Sequence, residues 1–200
     1  MKFLKRFAII VGIFFVVILT VTTVALSFFE DKIGQLAKAN NIEFGRVSIQ
    51  FRRDTEGFYL PLDKRFRYSI SLEKGQKRDS IYELNEKGLV LGEYRELTKT
   101  SNFTSGLKTC NALIYVMASM HAKIHQFDEC LIFNDEGRIA EGVSSNIIIV
   151  KQDTIVSPPF SEYGIDGVMK KVIMQKAVAY GYKTEEYPIY AEDLFSSDEV

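Results

Sequence analysis

Between residues 129 and 157 the chain sets four short apolar runs around two tight turn signals, and no other feature restricts its fold as much. "CLIF" runs into Asn134-Asp135-Glu136-Gly137, and "RIAE" returns; "NIIIVK" runs into Gln152-Asp153, and "TIVS" follows. Runs of this length bounded by Asn, Asp and Gly read as strands joined by tight turns. Such strands bury their apolar faces only against a second layer, and two helices are predicted to supply it. One is capped by Asn111 and continues to about residue 125, with Leu113, Val116, Met117, Met120 and Ile124 recurring at helical spacing. The other is led by Gly167, buries Val168, Val172, Ile173 and Ala177, and ends at Gly181. Pro158-Pro159 opens the loop before it.

The earlier part reads differently. Residues 30–39 form a short helix with Ile33, Leu36 and Ala37 on one face, and Asn40-Asn41 as a left-handed stop. Strands are predicted from "RVSIQFRR", "FRYSISL" and "LVLGEYREL", which gives a small α+β domain over 30–103 and a C-terminal domain over 104–200. From Phe7 to Phe29 no charge occurs, long enough at about 1.5 Å per residue to cross a bilayer core of roughly 30 Å. Lys2, Lys5 and Arg6 before it and Glu30 and Asp31 after it predict a single-pass membrane anchor over residues 7–29, with residues 1–29 as a separate segment. Cleavage at Ala25-Leu26-Ser27 is the competing fate. A sequon, Asn102-Phe103-Thr104, matters only if that region enters a glycosylating lumen.

With 46% hydrophobic residues, two hundred residues build a real core, and a net charge of −1 offers no electrostatic footprint for nucleic acid. Cys110 and Cys130 have neither CxxC spacing nor a disulfide framework. His121 and His125 lie one helical turn apart but lack the glutamate of HExxH and a third ligand, so no metal site is expected.

Three features of the second half fit one chemistry. Lys108 sits just before the predicted helix, Glu141 ends a strand, and "DGVMKK" offers free N–H groups at a helix N-terminus. Each alone has an ordinary reading: a solvated lysine, a surface acid, a hydrated helix end. Together they are an amine, a carboxylate and an anion cradle, the set that pyridoxal 5'-phosphate requires.

The stretch from "LKTCNALIYVMA" through "FDECLIFNDEGRIAEGVSSNIIIVK" and "TIVSPPFSEYGIDGVMKKVI" to the end resembles the class IV aminotransferases, the fold-type IV pyridoxal-phosphate enzymes. These include branched-chain and D-amino-acid aminotransferases and aminodeoxychorismate lyase. The resemblance implies an α+β fold whose larger domain is the family's cofactor-binding pseudo-barrel, preceded here by a remnant of the small domain and the hydrophobic helix. It implies Lys108 as the amine that links to the cofactor and moves the substrate proton. Glu141 would partner the pyridine nitrogen, with Ser144, Ser145 and Asn146 lining the bed of the ring. Ile165 would pack on the ring, and the amides of Val168 and Met169 would hold the phosphate. Arg52 aligns with an arginine that meets substrate carboxylates in some members.

The implied reaction moves an amino group between an amino acid and a 2-oxo acid in a homodimer, in the cytoplasm as for the family. Lys-x-x-Asn at 108–111 and Met169 resemble the lyase and the D-amino-acid enzymes, leaving pyruvate elimination as an alternative. The family's Phe-Glu-Thr strand and His-x-x-Arg helix find no match, and relatives continue beyond Val200 into a second phosphate-binding turn. An incomplete, inactive relative is therefore the further alternative.

Overall fold

The computed structural model describes residues 27–57, 59–75 and 87–200. Most of the apolar run, residues 7–26, lies outside the described residues; among those described, no helix is long and apolar enough to cross a membrane. The chain divides into two units, Met1–Leu84 and Asn85–Val200.

In the first unit a helix described over residues 27–39 (α1) precedes an antiparallel pair, β1 (Gly45–Arg53) and β2 (Phe66–Lys74). The expected stop is present, with Asn41 in the left-handed region at φ 52°. Val47, Ile49 and Phe51 lie directly opposite Leu72, Ile70 and Tyr68, so the alternation read from sequence sets one apolar face. Phe29 packs edge-on against Phe51 and Tyr68 at 5.9 and 5.4 Å between ring centroids, tying α1 to the pair.

In the second unit β4 (Glu129–Asn134) is central, parallel to β3 (Leu91–Lys99) and antiparallel to β5 (Ile139–Gly142). A second sheet contains β6 (Ile149–Lys151), β7 (Thr154–Ser157) and β8 (Lys183–Glu186). The crossover from β7 to its parallel neighbour β8 carries helix α3 (Val168–Ala179). Val150 also bridges to Glu199, so the last residues of the chain cover the β6 edge.

The expected division at residue 103 gives way to an earlier one because β3 belongs with β4. Their parallel pairing joins residues about forty positions apart, and no local turn signal announces it.

Strand β4 is buried on both faces. Leu131 and Phe133 pack with Ile139, Ile149, Val156 and Ile189, whereas Cys130 and Ile132 pack with Tyr94 and with Ala118 and Ala122 of helix α2 (Leu113–His125). Burial raises the pKa of the Cys130 thiol, with a smaller contribution from Glu129.

The helix faces correct the sequence expectation. On α2, Leu113, Val116, Met120 and Ile124 are exposed, and the buried residues are Ala118 and Ala122, with Met117 partly covered. A helix lying close on a sheet takes its smallest residues at the contact, so the most hydrophobic stripe is not the packed one. Its cap position is Ala112, without a side-chain hydrogen bond, in place of Asn111. On α3, Gly167 is the cap as expected, but Val168 and Ile173 are exposed and Ala177 is the buried contact.

A short helix, α4 (Ala191–Phe195), closes the first apolar cluster through Ala191 and Leu194. Its Asp193 accepts from Tyr190 N–H at 2.9 Å and from Lys151 Nζ at 2.9 Å, and these two, in that order, hold its carboxyl below the ordinary value. A lowered folded-state pKa contributes stability above the unfolded value of about 4 and loses it as pH falls through the folded value. Asp193→Asn is expected to destabilise the chain by about 0.5–1 kcal/mol at pH 7, discounted for partial exposure. Thermal unfolding of variant and wild type should converge as the pH is lowered below about 4; a difference independent of pH would refute this role.

Candidate active site

Glu141 reaches its position through a bulge. Ile132 pairs with Glu141 but Phe133 pairs with Ile139, so Ala140 is the extra residue on β5. Residues 139 and 141 of an unbroken strand would share a face. Here Ile139 joins Phe133 in one apolar cluster, while Glu141 turns to the other side, toward α2.

There the carboxylate is buried, and each of its contacts is a donor. Lys99 Nζ lies 2.5 Å and Tyr115 Oη 2.6 Å from Oε1, and Ile165 N–H donates to Oε2 at 2.8 Å. Lys99 Nζ also donates to the Tyr115 hydroxyl at 2.9 Å. Burial, and then the hydrogen bond to Glu141, push the pKa of the Tyr115 phenol well above its ordinary value, so the hydroxyl keeps its proton and donates it to the carboxylate. Lys99 arrives here through a second irregularity, the break in β3–β4 pairing between Tyr94 and Lys99.

Beside this triad is a cavity of about 420 Å³ whose wall includes Lys99, Lys108, Asn111, Tyr115, Val143 and Ile165, a volume within the range of small-molecule sites. Lys108 is exposed on that wall and makes no hydrogen bond or ion pair among the described residues.

The remaining expected site residues are distributed more widely. Ser144 and Ser145 turn their hydroxyls to the carboxylate of Glu129 at 2.9 and 3.5 Å, and that same carboxylate accepts from Val143 N–H at 2.9 Å. Glu129 thus shapes the loop after β5. Asn146 donates to the Ile165 carbonyl at 2.9 Å, and its amide lies where any side chain at Gly167 would go. It therefore sets the turn leading into α3. Val168 and Met169 occupy the first turn of α3, exposed and outside the cavity wall. Arg52 lies on β1 of the first unit, exposed.

Of the expected residues, then, Lys108 and Ile165 line the cavity and Glu141 lies directly behind its wall. Sequence reasoning missed Lys99, Tyr115 and Glu129. Tyr115 had a faint signal, a phenol beside the small-residue face of α2. Lys99, inside the polar run "TKTSN", had none.

The rings of His121 and His125 lie with centroids 4.4 Å apart, tilted 40° to one another. Among the described residues, no three His, Cys, Asp or Glu side chains are grouped to hold a metal ion.

The family model described as "Amino-transferase class IV" matches residues 19–200. This chain belongs to the class IV aminotransferase family. A putative branched-chain-amino-acid aminotransferase of Methanocaldococcus jannaschii is 31% identical over 94 residues, which is 47% of this chain and 33% of that protein. A branched-chain amino acid aminotransferase of Escherichia coli superposes with a TM-score of 0.69 at 19% identity, over 82% of this chain and 55% of the other. A putative 4-amino-4-deoxychorismate lyase of Legionella pneumophila superposes with a TM-score of 0.70 at 15% identity, over 82% and 59%. These superpositions identify the fold as fold-type IV. The chain spans about a third of the curated relative's length and somewhat over half of each solved structure. The family's enzymes are transaminases and lyases that work with pyridoxal 5'-phosphate.

Proposed function

We propose that this chain carries the cofactor and catalytic groups of a pyridoxal-phosphate-dependent transaminase acting on an amino acid and a 2-oxo acid. The observation behind the reading is the Lys108 side chain, unpaired among the described residues, on a cavity whose wall is backed by the buried Glu141. Pyridoxal 5'-phosphate, when bound, supplies an aldehyde that links to an amine and a ring that draws electrons from a substrate carbon.

The residues present fit that group. Lys108, without a carboxylate partner among the described residues, is available as the linking amine and as the base that would move the proton at the substrate α-carbon. Glu141, behind the wall, would accept from the ring nitrogen, and Ile165 would offer an apolar contact beside it. Val168 and Met169, although outside the cavity wall, lie in the first turn of a twelve-residue helix, whose N–H groups would suit a phosphate. The exposed apolar stripe Leu113, Val116, Met120 and Ile124 supports pairing of two copies.

Incubation with pyridoxal phosphate, borohydride reduction and peptide mass mapping test the assignment. The added mass is expected on Lys108 and absent from Lys108→Ala; scattered labelling of surface lysines would refute it. Sedimentation of the same preparation reads whether two copies associate, and a monomer throughout would remove the dimer.

Lyase chemistry is the second reading, favoured by the Lys-x-x-Asn spacing at 108–111 and by Met169. Assays on aminodeoxychorismate beside amino-acid and 2-oxoglutarate assays separate the two.

A further inference from the structure

Two lysines line the cavity, and their surroundings differ. Lys108 is exposed and unpaired among the described residues. Lys99 has a side chain only 9% exposed and an ammonium 2.5 Å from Glu141, whose own side chain is 4% exposed. An amine buried and held by donation to a carboxylate and a phenol oxygen is fixed in place and is not free to reach an aldehyde in the cavity. Lys99 therefore needs a different role from Lys108.

The hydrogen-bond inventory of Glu141 supplies it. A carboxylate oxygen accepts at about two lone-pair sites. Among the described residues Oε1 takes both Lys99 and Tyr115 and is filled, while Oε2 takes only the Ile165 N–H, leaving one site. Three donors from β3, α2 and the turn before α3 thereby fix the carboxylate against rotation. The ammonium also offsets the cost of burying its charge.

We propose that Lys99 is a positioning residue for Glu141, saturating Oε1 so that the free site on Oε2 is the one offered to a heteroaromatic nitrogen bound in the cavity. This rests on the pyridoxal-phosphate reading for the identity of the ligand, but the pairing itself does not.

The full chain and four variants test it: Lys99→Met, Lys99→Arg, Glu141→Gln and the double variant Lys99→Met/Glu141→Gln. Without cofactor, Lys99→Met is expected to lower the unfolding midpoint by about 10 °C, because it strands a buried carboxylate. In the Glu141→Gln background the same replacement should shift it by no more than about 3 °C, since the charge to be compensated is gone. With pyridoxal phosphate added, Lys99→Met should weaken binding roughly tenfold, about the effect of losing one charge-assisted contact. Lys99→Arg should restore most of it, and the reduced mass should stay on Lys108 in both. A role in packing alone would not be rescued by Arg.

Equal midpoint losses in the two backgrounds, unchanged cofactor affinity in Lys99→Met, or trapped mass on Lys99 would each overturn the proposal. Should Lys99→Met not fold, Glu141→Gln and the double variant still decide it, because their midpoints should agree within about 3 °C and a larger gap would give Lys99 a role independent of the Glu141 charge. If wild type takes up no cofactor, the pyridoxal-phosphate reading and the role toward a ligand fall together, while a coupled midpoint cycle would leave the Lys99–Glu141 unit standing.

Discussion

Glu162→Ala is expected to destabilise the second unit by about 3–5 kcal/mol, the cost of removing one partner from a buried ion pair. Glu162 lies in the 3₁₀ turn Phe160–Glu162 and is 2% exposed. Its Oε2 accepts from Asn134 Nδ2 at 2.7 Å and from Arg138 Nε at 2.5 Å. Arg138 also pairs with Glu136, and the two carboxylates, Glu136 first, hold its guanidinium above even its ordinary value. Removing Glu162 leaves the Asn134 amide and the buried Nε of Arg138 without their acceptor, with the guanidinium held only by the exposed Glu136. Glu162→Gln keeps an acceptor and should cost less, about 1–3 kcal/mol. Glu162→Leu with Arg138→Met removes both partners and should recover part of the alanine variant's loss. Urea unfolding followed by circular dichroism measures the series, and an alanine variant within about 0.5 kcal/mol of wild type, the level of an ordinary surface change, would show the network to be incidental. The same turn leads directly into residues 163–167, so its loosening should also reach Ile165 on the cavity wall.

How much of this was legible in the sequence depends on whether a signal was local. The two turns between β4 and β5 and between β6 and β7, the left-handed stop at Asn41 and the glycine cap of α3 each depend on a few adjacent residues, and all are present. The acid at 141 was conspicuous because nothing polar surrounds it on the strand. Its direction was not legible, because the bulge at Ala140 is fixed by pairing with β4 and reverses the side that simple alternation assigns. Lys99 was illegible for a related reason: only the parallel, irregular β3–β4 ladder brings it beside an acid 42 positions away. The helix faces misled because hydrophobicity marks what avoids water, whereas Ala118, Ala122 and Ala177 mark where backbones come close. The partner of the Ser144 and Ser145 hydroxyls was not legible either, since Glu129, fifteen and sixteen positions away, is brought to them only by the β4–β5 pairing.

Gly164→Val is expected to act on fold and site together, destabilising the chain by about 3 kcal/mol, at the upper end of ordinary overpacking. A Cβ at this position would lie 2.5 Å from the Ala140 carbonyl oxygen, and the obstacle is the backbone of the bulged strand, which cannot swing aside. The turn at 163–167 would have to lift from β5. That movement draws the Ile165 N–H away from Glu141 Oε2, removing the one backbone donor that orients the carboxylate. Gly167→Ala supplies the contrast. Its Cβ would come 1.9 Å from Asn146 Oδ1, an obstacle at the tip of a side chain, so Asn146 rotates and gives up its bond to the Ile165 carbonyl for about 1 kcal/mol. Thermal unfolding should therefore rank wild type above Gly167→Ala and Gly167→Ala above Gly164→Val, with the same order in pyridoxal-phosphate uptake. Equal tolerance at the two glycines would mean that the turn is not held against β5, and that Glu141 does not depend on Ile165 for its orientation.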